Sequence, residues 1–170
     1  SLASVVAEHG GIYSSHMREE GIGLIKSTEE AINIGRKAKL PVNISHHKAV
    51  GKSMWGSSIN TLNMIDKARK EGIDVTADQY PYTATSTGLT VVFPAWSLSG
   101  GTTKLKERLD DPIQRKKIKD KIIWNIVYDR GGGNPASIVV ANYPPNTDFN
   151  GMNLAEITKM KGKKPTAENA

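Results

Sequence analysis

The sequence predicts an α/β fold built on a parallel sheet, and three observations carry that expectation. Over the first hundred residues, short β-like runs alternate with helical stretches. The alternation repeats about every 30 residues, the length of a βα unit. A helical crossover of that length returns the chain to the same end of the sheet, so consecutive strands must run parallel. With 38% apolar and 24% charged residues, the 170-residue chain has the composition of a globular domain rather than of a disordered one.

The elements follow in order. Residues 2–9 read as the end of a helix, with Leu2, Val5 and Val6 as its apolar positions and Gly10 or Gly11 free to take the left-handed conformation beyond it. GIYSSH, residues 11–16, is the first strand, followed by a loop from Met17 to Lys26. Ser27-Thr28-Glu29-Glu30 has the pattern of a capping box, which starts a helix running to about Lys39. Ala31, Ile34 and Ala38 recur at helical spacing, and Gly35 in the interior weakens the helix by about 1 kcal/mol relative to alanine. Pro41 stops it, and PVNISH is a second strand ending at His46.

After the loop AVGKSMWGSS, a helix is expected from Ser58 to Lys70, with Ile59, Leu62, Ile65 and Ala68 on one face and Gly72 as terminator. IDVTADQY is the third strand. The carboxyl ends of parallel strands, where ligands bind in barrels and open α/β sheets, then carry His16, His46 and the segment Asp78 to Tyr82. Beyond residue 93 the rhythm changes. Pro94, Ser97, Gly100 and Gly101 mark a boundary between a first part, 1–93, and an α+β second part, 94–170. The second part holds basic helices at 102–109 and 112–128, the latter with Asp111 as N-cap and Pro112 at its first position. ASIVVA (136–141) reads as a strand, Leu154 to Met160 as a short helix, and KPTAENA as the beginning of another helix at Pro165. Its abrupt stop leads us to expect a piece of a longer protein.

The net charge of +6 suggests nucleic acid until it is located. Residues 1–100 hold 10 Lys/Arg and 9 Asp/Glu, residues 101–170 hold 13 and 8, so five of the six surplus charges sit in the second part. That part lacks the aromatic and arginine interleaving of a base-stacking surface, so a solvated helical face is expected and no nucleic-acid partner. No apolar run reaches the roughly 18 residues of a membrane span and the N-terminus lacks a signal-peptide pattern; the expectation is a soluble, cytoplasmic protein with no membrane partner. The absence of cysteine excludes disulfides and thiolate metal ligands within the chain.

His16 and His46 end successive strands, which places them about 5 Å apart. They could share one zinc ion, which imidazole suits. They could equally be ordinary buried or capping histidines.

SHMREE around His16, ISHHKAVG around His46 and DVTADQYPYTATST from Asp74 to Thr87 resemble, in order and spacing, the motifs of the D-aminoacylases, or N-acyl-D-amino-acid deacylases, of the amidohydrolase superfamily. The resemblance is strongest from Gly10 to Trp96 and continues through DPIQRKKIKDKI and Pro144-Pro145-Asn146. It implies a partial (β/α)8 TIM barrel of about three βα units, with residues 94–170 as an inserted subdomain. It implies Zn2+ bound by His16 and His46, Lys48 reaching the substrate carboxylate, Tyr80 as the catalytic hydrogen-bond donor to the scissile carbonyl, and Ser86 at the substrate's carboxyl end. His47 is expected to neighbour the site, His9 to lie at the surface near a helix end, and Arg18, Glu19 and Glu20 to be either groups that orient the histidine ring or surface ion pairs.

The implied reaction is hydrolysis of the amide of a small-molecule N-acyl-D-amino acid. The family's His-x-His pair, its cysteine-type ligand and its last-strand aspartate have no counterparts in the sequence; they are expected before Ser1 and after Ala170, so that the remaining segments of the parent barrel are partners of this one and the chain alone is inactive. Asp78 does not occupy the place of that aspartate. Two other readings stand beside this one: a cyclic-amide hydrolase of the same superfamily, and a nucleic-acid or acidic-partner module built on the basic residues 101–130.

Overall fold

The computed structural model describes all 170 residues. They divide into two compact units, Ser1–Thr83 and Ala84–Ala170. The first is an α/β unit. Its sheet has three parallel strands in the order β1 (Tyr13–Ser15), β2 (Val42–His47) and β3 (Val75–Gln79), with Tyr13 opposite Val42 and Val42 opposite Val75. The connections are α2 (Leu24–Ala38) and α3 (Ser58–Lys70), while α1 (Leu2–Glu8) precedes the sheet.

Alternation along β2 decides which side of the sheet the helices cover. Val42 and Ile44 are fully buried and cluster with Val75 and with Leu24, Ala31, Ile32, Ile65 and Ala68 of the two helices. Ser14, Asn43, Ser45, Thr76 and Asp78 line the other side in a polar ladder: Asn43 Nδ2 donates to Asp78 Oδ2 at 2.8 Å, Thr76 Oγ1 donates to Asn43 Oδ1 at 2.9 Å, and Ser14 and Ser45 hydroxyls meet at 3.1 Å.

The capping-box expectation for α2 fails. The helix starts three residues earlier, at Leu24, and Ser27 and Thr28 lie buried within it. Glu19 Oε1 accepts from the amides of Glu20 and Gly21, both at 3.0 Å, so the chain reverses there and the buried Leu24 extends the apolar stripe toward the N-terminus. Glu30, free of a capping role, takes a two-point ion pair from Arg18. Gly35 is where α2 meets β2: a Cβ would collide with Val42 Cγ2 and come within 3.1 Å of the Leu40 carbonyl. The glycine therefore permits a close helix-sheet approach that offsets its poor helix propensity.

On α3 the bounds match the expected ones but the face does not. Thr61, Ile65 and Ala68 are buried, whereas Ile59 and Leu62 are exposed, because the helix turns the 61-65-68 ridge to the sheet. Leu2, Val5 and Val6 of α1 are exposed too, and the first strand covers only Tyr13–Ser15 of the expected 11–16.

The second unit begins before the expected change at Pro94, since the buried Val92 accepts through its carbonyl from the Asn125 side chain at 2.8 Å. It contains α4 (Ala95–Leu98), α5 (Gly101–Asp110), α6 (Pro112–Trp124) and α7 (Leu154–Met160), and α6 runs on through a wider turn over Asn125–Asp129. Asp111 caps α6 through the amides of Ile113 and Gln114, as its sequence predicts. ASIVVA is not a strand. Residues 135–137 form a 3-10 turn, and only Val139 bridges, antiparallel, to Asn153, which itself caps α7 in a box with Glu156. No helix starts at Pro165; the tail folds as turns. No helix is long and apolar enough to cross a membrane.

Candidate metal centre

Strand geometry and one irregularity bring the histidines together. His16 follows Ser15, the last residue of β1. On β2, three steps from Ile44 to His47 match two on β3 from Ala77 to Gln79, a bulge of one residue. The extra residue leaves His46 with φ 42°, in the left-handed region that non-glycine residues seldom adopt. A bulge re-aims side chains at a strand end. Here the His46 ring meets that of His16 edge-on, with centroids 4.8 Å apart.

His16 Nδ1 and His46 Nε2 lie 3.0 Å apart. Glu20 Oε1 is 3.5 Å from His16 Nδ1, 3.2 Å from His46 Nδ1 and 2.7 Å from Lys48 Nζ. The ligand atoms available from His16, Glu20 and His46 all fall within 4.8 Å of one another. Two bonds of about 2.0–2.1 Å at a tetrahedral zinc put the donor nitrogens about 3.4 Å apart, so the imidazoles need only a slight opening to hold one ion between them. Two imidazoles and a carboxylate are a donor set that suits zinc, and no thiolate is required. The residues present fit a divalent metal.

Of the other residues singled out in the sequence, Lys48 and Tyr80 gather at the same place. The Lys48 side chain is only 14% exposed; its ammonium donates to Glu20 Oε1 and to the His46 carbonyl at 3.1 Å, contacts His46 Nδ1 at 2.8 Å, and stands 4.8 Å from the centre of the Tyr80 ring. Tyr80 continues the β2-β3 pairing through its amide, which donates to the His47 carbonyl, and packs edge-on against His46. Tyr82 is exposed and touches the Tyr80 ring edge. His47 is half-buried. Burial lowers its pKa below the usual imidazole value, and its Nε2 has no hydrogen-bond partner. His9 is exposed beyond α1. Ser86 is exposed in the second unit, and Asp78 is engaged by Asn43.

Arg18, Glu19 and Glu20 part company. Arg18 pairs with Glu30 at the surface, where that hydrogen bond raises the guanidinium pKa and lowers that of the carboxyl. Glu19 closes the turn before α2. Glu20 alone turns inward, with its side chain 5% exposed. Sequence reasoning set these three together; the bends between β1 and α2 separate them, turning Glu20 inward just ahead of the buried Leu24.

No family model matches the chain. Among curated proteins it is 46% identical over 84 residues to the D-aminoacylase of Alcaligenes xylosoxydans xylosoxydans, which covers 49% of the chain and 17% of that protein. It is 41% identical over 143 residues, 84% of the chain and 25% of the relative, to the N-acyl-D-glutamate deacylase of the same organism. The chain belongs to the D-aminoacylase (N-acyl-D-amino-acid deacylase) family. Solved deacylases share its fold. The N-acyl-D-glutamate deacylase of Bordetella bronchiseptica, complexed with zinc and a phosphonate inhibitor, superposes with a TM-score of 0.65 at 27% identity over 99% of the chain and 27% of its own length. A D-aminoacylase described as a novel subset of amidohydrolases gives 0.60 at 30% identity over 95% of the chain and 26% of that one. The chain thus spans a quarter or less of the length of the curated deacylases it matches.

Proposed function

We propose that this chain is the metal-holding and substrate-orienting segment of a zinc-dependent N-acyl-D-amino-acid deacylase, folded as part of a (β/α)8 barrel. The observation that carries the reading is the approach of His16 Nδ1 and His46 Nε2 to 3.0 Å at the carboxyl ends of adjacent parallel strands. The uncovered side of the sheet supports the barrel, because parallel sheets are almost always covered on both faces; here the helices cover one and the polar ladder lines the other. In a barrel that second face turns inward.

His16 and His46 would hold the ion. Zinc bound there would lower the pKa of a water ligand and polarise the acyl carbonyl. The chain's own residues supply the rest. The Lys48 ammonium is a point charge suited to the carboxylate of the substrate. The Tyr80 hydroxyl donates a hydrogen bond to the carbonyl oxygen as negative charge develops on it, which favours the transition state over the ground state. Asp78 is assigned no part in proton transfer.

The test is hydrolysis of N-acetyl-D-methionine and its L isomer by the complete gene product with added zinc. Turnover of the D isomer that His16→Ala and His46→Ala each abolish is expected. D-specific turnover that survives both substitutions would refute the assignment. The 170 residues alone, with two imidazoles as metal ligands and no aspartate placed to move the proton, are expected to give no turnover.

A further inference from the structure

We infer that Glu20 is the positioning residue of this site: one buried carboxylate oxygen holds the His46 ring through Nδ1 and the Lys48 ammonium through Nζ, and so sets both the nitrogen offered to the metal and the place of the substrate-binding charge. The inference rests on the metal reading above.

The backbone shows a residue fixed on both sides. The Glu20 amide donates to Glu19 Oε1 at 3.0 Å, and the Glu20 carbonyl accepts from the Val50 amide at 2.8 Å. The loop after β2 is therefore tied to Glu20 by a main-chain bond at Val50 and a side-chain bond at Lys48. A carboxylate this far out of water requires partners. It has them in Lys48 at 2.7 Å and His46 at 3.2 Å.

Geometry separates positioning from ligation. His46 presents Nε2 to His16 at 3.0 Å, while its Nδ1 faces Lys48 Nζ at 2.8 Å and Glu20 Oε1 at 3.2 Å, the same Oε1 standing 3.5 Å from His16 Nδ1; the lone pairs of the two nitrogens of one imidazole diverge, so an ion on Nε2 does not displace the partners of Nδ1. With a metal on Nε2, the Nδ1 proton would turn to Glu20 Oε1, 3.2 Å away, in place of the contact with Lys48 Nζ seen at 2.8 Å, because an ammonium cannot donate to a protonated Nδ1. Lys48 keeps Glu20 Oε1 and the His46 carbonyl as acceptors. Its third N–H is then available to a substrate carboxylate.

The experiment compares wild-type complete gene product with Glu20→Gln, Glu20→Asp and His46→Ala. Zinc affinity is read by chelator competition, the visible spectrum by cobalt(II) substitution, and KM and kcat with N-acetyl-D-methionine. Glu20→Gln is expected to weaken zinc about 10- to 100-fold, to raise KM more than it lowers kcat, and to leave the positions and intensities of the cobalt bands unchanged. Glu20→Asp, with the charge kept but the reach shortened, should fall between, and it gives the same readings if the amide variant does not fold. Unchanged affinity and KM in both would overturn the inference. Altered cobalt bands would also overturn it, by making Glu20 a ligand. If His46→Ala keeps wild-type zinc affinity, or the wild type binds none, the metal reading itself fails and takes this inference with it, whereas loss in His46→Ala beside no change at Glu20 sinks the positioning role alone.

Discussion

Replacing Gly35 by alanine tests whether close packing of α2 on β2 supports the site. The added methyl would collide with Val42 Cγ2 and stand 3.1 Å from the Leu40 carbonyl and 3.5 Å from Ile73 Cγ2. Alanine gains about 1 kcal/mol in helix propensity, while overpacking a filled interior costs about 1–3 kcal/mol. The side-chain clash can relax only by moving Val42, which is 1% exposed, and the carbonyl contact only by moving backbone. The net expectation is a loss of about 1–2 kcal/mol, taken from the upper part of that overpacking range. Urea denaturation would read it as a lower midpoint with unchanged slope. Val42→Ala opens room for the methyl, so Gly35→Ala with Val42→Ala should cost less than the two single changes added together, the sign of direct coupling. Because β2 also carries His46, zinc affinity should fall in the single variant. A Gly35→Ala protein as stable as the wild type, or a double variant showing simple additivity, would refute the packing argument.

Lys48→Met leaves the Glu20 carboxylate buried without its cation; breaking a buried pair in this way costs about 3–5 kcal/mol, and a KM rise should accompany the lower melting midpoint in the same preparation. Tyr80→Phe removes one oxyanion donor, for which a fall in kcat of about 100- to 1,000-fold with little change in KM is expected from steady-state kinetics. For His47 the folded pKa is depressed by burial, so the unfolded chain binds the proton more readily. Its contribution to stability is full above the ordinary imidazole pKa and declines as pH falls through that value toward the lower folded one. Melting temperatures at pH 7.5 and 5.5 should therefore differ less for His47→Gln than for the wild type; an equal difference would contradict the assignment.

The parallel α/β order was legible because punctuation and periodicity agree: Pro41, Gly72 and the ridge at Ile65 and Ala68 all fall where the structure puts them. What misled was any local signal that a tertiary partner overrode. The capping pattern at Ser27 yielded to the turn closed by Glu19 and to Arg18, which took Glu30. The β-branched run at 138–140 formed only an isolated bridge, for it has no neighbouring strand to complete a ladder. At the site, motif resemblance singled out His16, His46, Lys48, Tyr80 and Ser86; the first four gather at one end of the sheet, and Ser86 belongs to the second unit. The inward turn of Glu20 was not legible, since it depends on a bend that shares its composition with a surface ion pair.

The most direct test of the account is anomalous X-ray scattering at the zinc edge from crystals of the complete gene product grown with zinc. The account predicts a peak about 2.0–2.1 Å from both His16 Nδ1 and His46 Nε2, with Glu20 on His46 Nδ1. A peak bonded to neither histidine, or zinc taken up elsewhere while the two rings remain hydrogen-bonded to each other, would contradict it.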